Sequence, residues 1–203
     1  IILHTSNDGV EWSDIRIENT GILNDVVWTG EYYIGVGYQN NILKSIYVDK
    51  WTNLTNPTLS KPSYFVSDGA SLVCLGSDGY IMVTKDMKSW TCVKISDAHH
   101  LDSIFWKDGI FYIWGYEKEN YFNHCLFISK DLNKWDKFKF TTEQFTSISN
   151  ENMSRIIYNG SRFVCGLAWS DDGIEWDKSV PEFLKVYDSF YNGLWDGRNY
   201  YQV

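Results

Sequence analysis

Short runs of β-branched and aromatic residues, broken by Asp-Gly or Asn-Gly pairs, alternate along most of the 203-residue chain. Val26-Val27-Trp28 leads into a turn at Thr29-Gly30 and out through Tyr32-Tyr33-Ile34. The same order returns as Ile104-Phe105-Trp106, Asp108-Gly109 and Ile110-Phe111-Tyr112, and again as Ile156-Ile157-Tyr158, Asn159-Gly160 and Phe163-Val164. A weaker copy runs from Tyr64 through Asp68-Gly69 to Leu75-Gly76. Glycine and the Asp or Asn before it accept the positive φ angles of tight turns, so each copy predicts an antiparallel hairpin. No helical periodicity competes with this pattern, and the chain is expected to be all-β.

A second signature follows each hairpin. Trp12, Trp51, Trp90, Trp135 and Trp176 stand 39, 39, 45 and 41 residues apart. Six residues before each is a hydroxyl: Ser6, Ser45, Thr84, Ser129 and Ser170. Four residues before, an aspartate occurs in four of the five copies, Asp8, Asp86, Asp131 and Asp172, while the second copy has Tyr47. Nine residues before, every copy is aliphatic: Leu3, Ile42, Ile81, Leu126 and Leu167. A period of about 40 residues means a repeated supersecondary unit. Hairpin plus box gives four strands per unit, A to D. The Ser, Thr and Asp side chains accept backbone N–H groups in a tight turn, and tryptophan supplies a plate to pack between units. A structural role is therefore expected for all of these box residues.

The aromatic hairpin that should precede the first box is missing there and occurs at the other end, as Leu194-Trp195-Asp196-Gly197 and Tyr200-Tyr201. Strands from the two chain ends should share one sheet, which leaves no unpaired end. The boxes, most fully Ser6-Asn7-Asp8-Gly9-Val10-Glu11-Trp12 and Ser170-Asp171-Asp172-Gly173-Ile174-Glu175-Trp176, resemble the Asp-box (BNR) repeats of sialidase-like β-propellers. Their Asp-to-Gly spacing differs by one from that family's. The resemblance covers nearly the whole chain and implies that each box is the turn between strands C and D. The expected fold is a five-bladed β-propeller forming a single domain over 1–203. Its blades are 188–203 with 1–17, then 25–55, 63–96, 102–141 and 154–180.

Charge narrows the partners. With 18 basic against 26 acidic residues, a formal net charge of −8 opposes nonspecific capture of nucleic acid. No run of 18 apolar residues occurs, so no membrane insertion is expected. The chain opens on Ile1 without a basic, apolar leader and is expected to be part of a longer product. Cys74, Cys92, Cys125 and Cys165 form no CxxC pair; free thiols are expected, with a Cys74–Cys92 bridge as the alternative.

In a four-stranded blade the A–B and C–D turns lie on one rim, and the B–C loops and blade links on the other. That second rim varies most, and variable loops on a repeated scaffold carry function. Its longest hairpin loop, in blade four, offers Tyr116, Tyr121 and Phe122 to stack on a sugar face, and Asn120, Asn123 and His124 to hydrogen-bond it. His99 and His100 enter from the neighbouring link. A metal held by these histidines with Asp97 and Asp102 is disfavoured, because adjacent strand residues point apart; no metal or cofactor is expected. The interval from turn glycine to box tryptophan is 16 residues in blade five against 21 in blades two and three and 26 in blade four. Blade five therefore has a very tight B–C turn, or the parent sequence carries further loop residues between Gly166 and Leu167 and beyond Val203.

Catalysis finds little footing. The resemblance implies an arginine triad for sialidase activity, but the chain has only Arg16, Arg155, Arg162 and Arg198, and two of these follow A–B turns on the opposite rim. Paired carboxylates of a glycosidase would have to come from Asp25, Asp102 and Asp188. No GxSxG, HExxH, P-loop or dinucleotide motif is present. The expected function is a non-catalytic recognition module for a glycan or receptor, extracellular, on a bacterial surface protein or phage-tail-like particle. The alternatives are a protein–protein docking module of a larger assembly, and a glycoside hydrolase.

Overall fold

In the computed structural model of the chain, the described residues are 2–6, 11–17, 23–37, 42–54, 62–117, 124–139, 157–158, 163–165, 168–177, 193–195 and 200–202. Among them the regular elements are strands, apart from one 3-10 turn at Ser77–Gly79. Strands β1 (Ile2–Ser6) and β2 (Ser13–Arg16) pair with β18 (Gly193–Trp195) and β19 (Tyr200–Gln202) in the order β18-β19-β1-β2. His4 faces Gln202 and Ser6 faces Tyr200, so one sheet is built from both chain ends. A second sheet holds β3 (Leu23–Trp28), β4 (Tyr33–Gly37), β5 (Ile42–Ser45) and β6 (Thr52–Leu54). The third holds β7 (Phe65–Ser67), β8 (Leu72–Leu75), β9 (Tyr80–Thr84) and β10 (Thr91–Lys94). The fourth holds β11 (Ala98–Lys107), β12 (Ile110–Glu117), β13 (His124–Ser129) and β14 (Asp136–Lys139). The fifth has three described strands, β15 (Ile157–Tyr158), β16 (Phe163–Cys165) and β17 (Ala168–Ser170). All pairings are antiparallel, and within each sheet the strands follow as A to D. The chain divides into two compact units, Ile1–Ile95 with Asn192–Val203, and Ser96–Tyr191.

In the first unit, successive residues of β3 serve opposite faces, as the two-residue period of a strand requires. Val26 packs with Ile17, Leu23 and Leu43, joined by Ile15, Val48 and Trp51, between the first and second sheets. Val27 packs with Ile34, Val36, Ile42, Phe65, Leu72, Cys74 and Met82, joined by Met87 and Trp90, between the second and third. In the second unit Phe105, Trp114 and Leu126 pack with Phe163, and Ile174 and Trp176 close over them. Trp176 meets Trp114 edge to face at 5.9 Å. Each of these box tryptophans, Trp51, Trp90 and Trp176, thus lies against the sheet before its own. Burying one large apolar side chain contributes about 1.5–3 kcal/mol, so separating two sheets forfeits several such terms at once.

The box turns share one geometry. Thr84 Oγ1 accepts the Met87 amide at 2.9 Å, and one oxygen of Asp86 accepts the Lys88 and Ser89 amides at 2.8 and 2.7 Å. Ser129 and Asp131 do the same for Leu132, Asn133 and Lys134. Ser170 and Asp172 repeat it for Gly173, Ile174 and Glu175. Trp135 and Trp176 lock the turn by donating their indole N–H to the carbonyls of Leu132 and Gly173. The third residue after each hydroxyl takes positive φ: Val48 at 48°, Met87 at 59°, Leu132 at 64° and Gly173 at 80°. The second box lacks the carboxylate and is rewired: Ser45 Oγ donates to the Lys50 carbonyl at 2.6 Å, and Trp51 Nε1 to that of Val48 at 2.6 Å. A β-branched residue in this conformation is strained; Val48 keeps it while its side chain packs beside Trp51 and Ile17. In the first box, Asp8 lies outside the described residues, and Trp12 is 39% exposed.

Asp25 joins neighbouring inner strands. One carboxylate oxygen accepts the amide of Phe65 on β7 at 2.8 Å, and the other that of Val26 at 3.0 Å. The Cys74–Cys92 bridge is ruled out by register. Both cysteines stand opposite Met82, on strands either side of β9. Two strand spacings of about 4.8 Å put them far beyond the 4.4–6.8 Å between Cα atoms that a disulfide requires. Cys74, Cys92 and Cys125 are free thiols.

Two predictions follow from these bonds. Replacing Asp25 by Ala leaves the Phe65 amide without its charged acceptor and should cost about 1.5–3 kcal/mol in denaturant unfolding, with Asp25→Asn costing less; an unchanged midpoint would remove the inter-sheet role. The amides of Ser89 and Lys88 hold the Asp86 carboxyl down from 3.8 to about 2, and those of Lys134 and Asn133 lower Asp131 likewise. A carboxyl lowered by folding stabilises above its unfolded value and loses that contribution as pH falls through its folded one. Melting temperature should therefore fall between pH 4 and about 2, less steeply in Asp86→Asn.

Candidate functional site

The fourth sheet is the tallest. β11 has ten residues and β12 eight, whereas β8 and β4 have four and five. Near their B–C end, His100 pairs with Tyr116 and Tyr116 pairs with His124. Direct cross-strand partners share a face, so these three rings form one row. Their centroids lie 5.1 Å apart from His100 to Tyr116 and 5.9 Å from Tyr116 to His124.

His99 also reaches Tyr116, at 6.1 Å. In a regular strand His99 and His100 would point to opposite faces. The register slips between Ala98 and His100, and again between Leu101 and Ser103. Such bulges re-aim side chains, and here the expectation that adjacent histidines diverge is overturned. Gly115 permits the arrangement: a Cβ there would sit 2.1 Å from the His100 carbonyl oxygen, a backbone atom that cannot turn aside. Asp102 anchors the row's edge, its carboxylate 3.2 Å from His100 Nε2. Burial lowers the pKa of the half-buried His124, and the charge of Asp102 partly restores it.

The row stands on the packed core. Trp114 and Tyr112 alternate with Tyr116 on the same face of β12, and Trp114 meets Trp176. Counting from the box hydroxyls, Phe111 faces Ser129 as Phe163 faces Ser170. The last pair of β16 and β17 is Cys165 with Ala168, level with Ile113 and Phe127. β12 and β13 continue for three further pairs, through Trp114–Leu126 and Gly115–Cys125 to Tyr116–His124. The ring row is thus a ledge three pairs beyond the last described pair of the neighbouring hairpin, with the His100 side chain 53% exposed.

On the opposite face Glu117 receives Lys137 at 2.5 Å and Lys139 at 2.8 Å, and Lys137 also reaches Asp97 at 3.0 Å. Lys137 and Lys139 lower the Glu117 pKa. These bonds tie the outer strand to the end of β12 and brace the ledge from behind.

Of the residues singled out in the sequence, the structure gathers Tyr116, His124, His99 and His100. Asn120, Tyr121 and Phe122, with Asn123, lie outside the described residues. Gly115 and the bulges had not been singled out; an unexplained glycine inside an aromatic strand was their only trace. As for the carboxylates, Asp25 accepts backbone amides, Asp102 pairs with His100, and Asp188 is outside the described residues. Among the described residues no group of three or more His, Cys, Asp and Glu is placed to hold a metal ion. None of their helices is long and apolar enough to cross a membrane.

No protein-family model and no curated protein matches the chain. Solved structures do. A structure of a nidogen/laminin complex aligns with TM-score 0.59 at 11% identity, over 84% of this chain and 70% of its own. YCF48 from Cyanidioschyzon merolae aligns with TM-score 0.57 at 11% identity, over 82% and 58%. The WD40 β-propeller domain of Doa1 aligns with TM-score 0.54 at 10% identity, over 89% and 60%. The chain spans less than two thirds of the latter two. At such identities the likeness shows the fold alone, and that fold is a β-propeller.

The ledge depends on close backbone approach at Gly115. Gly115→Ala should push β11 off its bulge and cost about 1–3 kcal/mol through overpacking. The imidazole proton resonances of His99 and His100 should move as their rings leave Tyr116. Unchanged melting and unchanged resonances would show that the bulge tolerates a side chain.

Proposed function

We propose that the chain is a non-catalytic recognition module that holds a glycan on the ledge of the fourth sheet. The observation that carries this reading is the row His100, Tyr116 and His124, an aromatic plate flanked by oriented ring nitrogens and raised beyond the described pairs of the adjoining hairpin. Small-ligand sites combine an apolar surface with a few placed polar groups in this way. Tyr121, Phe122 and Asn120 of the connecting loop are proposed to complete it. In the same reading the five sheets are five Asp-box blades of one ring and one domain, closed by the sheet that joins β19 to β1. An extracellular place, on a bacterial surface protein or a phage-tail-like particle, suits a glycan receptor.

One observation favours a second reading, a protein docking module. At the tip of the second box, where the third and fourth carry Lys85-Asp86 and Lys130-Asp131, Ile46 and Tyr47 are 55% and 74% exposed. One of the similar solved structures is a nidogen/laminin complex.

A glycan array probed with the purified chain and with Tyr116→Ala tests the choice. Specific binding is expected, weakened roughly tenfold in the variant if stacking on the ring is worth about 1.4 kcal/mol. Binding that survives Tyr116→Ala would move the site elsewhere, and an empty array would favour docking through Ile46 and Tyr47. Release of reducing sugar from a bound glycan would overturn the non-catalytic reading.

A further inference from the structure

We infer that the ledge is built for the acidic group of its ligand, a carboxylate- or sulfate-bearing sugar, and grips it more tightly as the pH falls below neutrality. The inference rests on the ledge being the glycan site and adds the class of glycan and the condition for binding.

The distribution of histidine points this way. The chain has four histidines, and three of them, His99, His100 and His124, surround the single ring of Tyr116. An ordinary histidine titrates near pH 6.5 and, once protonated, donates from both ring nitrogens. Such a site is rich in donors. A neutral sugar, which presents donors and acceptors in equal measure, gains less from it than an oxyanion does, since charge-assisted bonds are the stronger kind.

Among the described residues, the charges around the row are each engaged with a partner. On β11, Asp97 faces Lys137, and Asp102 faces His100. On β12, Glu117 is engaged by Lys137 and Lys139 of β14, on the face away from Tyr116. On β13, Cys125 pairs with Gly115 and belongs to that other face, its thiol pushed up by burial. Among the described residues the ledge face therefore holds one carboxylate, Asp102, against three imidazoles. Protonating two of them turns it from anionic to cationic in a protein whose formal charge is −8. Lysine or arginine would supply a permanent charge; histidine makes the charge conditional. Burial lowers the pKa of His124, so its proton is taken up late, and an anion seated beside it would favour that uptake.

By linkage, a ligand that binds with uptake of one proton gains up to about tenfold in affinity per pH unit over the range where the site titrates. The test is calorimetric titration of the whole chain with three sugars, a glucuronate-containing disaccharide, a 6-sulfated hexose and a neutral glucose disaccharide, at pH 8, 7, 6 and 5.5. The acidic sugars should gain at least tenfold between pH 8 and 5.5 while the neutral one stays flat. His100→Gln and His124→Gln should each flatten the acidic profile, and histidine proton resonances of the unmodified chain should report protonation on binding. Neutral and acidic sugars binding alike at every pH would overturn this inference and leave the glycan reading standing. Binding of acidic sugars without pH dependence would equally overturn it. No binding of any sugar at any pH would sink both readings together.

Discussion

The packing described within each unit depends on an indole shared between two sheets, as at Trp51, Trp90 and Trp176. A single four-stranded sheet of short strands cannot bury both of its apolar faces. The box tryptophan solves this by covering the face of the sheet before its own, as Trp51 does beside Ile15 and Ile17, and Trp176 beside Trp114. To present that plate, the chain must reverse within a few residues and return as an outer strand. The hydroxyl and carboxylate of the box accept the three amides that such a reversal exposes, and the indole N–H binds the turn from inside. Turn chemistry and core packing are thus one device, which is why they are repeated together.

Much of this was legible because a repeat multiplies weak signals. Asp-Gly turns, a hydroxyl, an aspartate and a tryptophan at fixed offsets predicted antiparallel hairpins, C–D turns at the boxes and a sheet shared by Ile2–Ser6 and Tyr200–Gln202. The site was legible only in outline. Tyr116, His99, His100 and His124 stood out as chemistry-bearing residues, but strand parity argued that the two adjacent histidines diverge. The bulges that bring them to one ring depend on a contact between the His100 carbonyl and Gly115, fifteen residues away and invisible to local pattern. For the cysteines the expected free thiols stand at Cys74, Cys92 and Cys125, and only the alternative bridge is removed. Proximity in sequence suggested a bridge, whereas register places Met82 between them.

Departures from the repeat are informative because the repeat defines what the fold needs. Local rules are broken where something other than stability is served. The second box gives up its carboxylate, holds Val48 at positive φ and exposes Tyr47. The fourth sheet keeps its box intact and departs instead in length, at the opposite end of the strands. Both departures cost something: one in turn hydrogen bonds, the other in ordering a longer hairpin.

Hairpin length is the cheaper variable. Lengthening a loop costs only about 0.6 kcal/mol per doubling in closure entropy, and every second added pair of β12 and β13 returns two backbone bonds. The core beneath is untouched, since Trp114 and Leu126 already end the packed face. What the added pairs gain is an aromatic face held by cross-strand register. Glu117, Lys137 and Lys139 tie it from behind to the outer strand. A scaffold that varies the heights of neighbouring hairpins can therefore raise an aromatic surface on one sheet while leaving that sheet's own box, and the turn it holds, as the repeat requires.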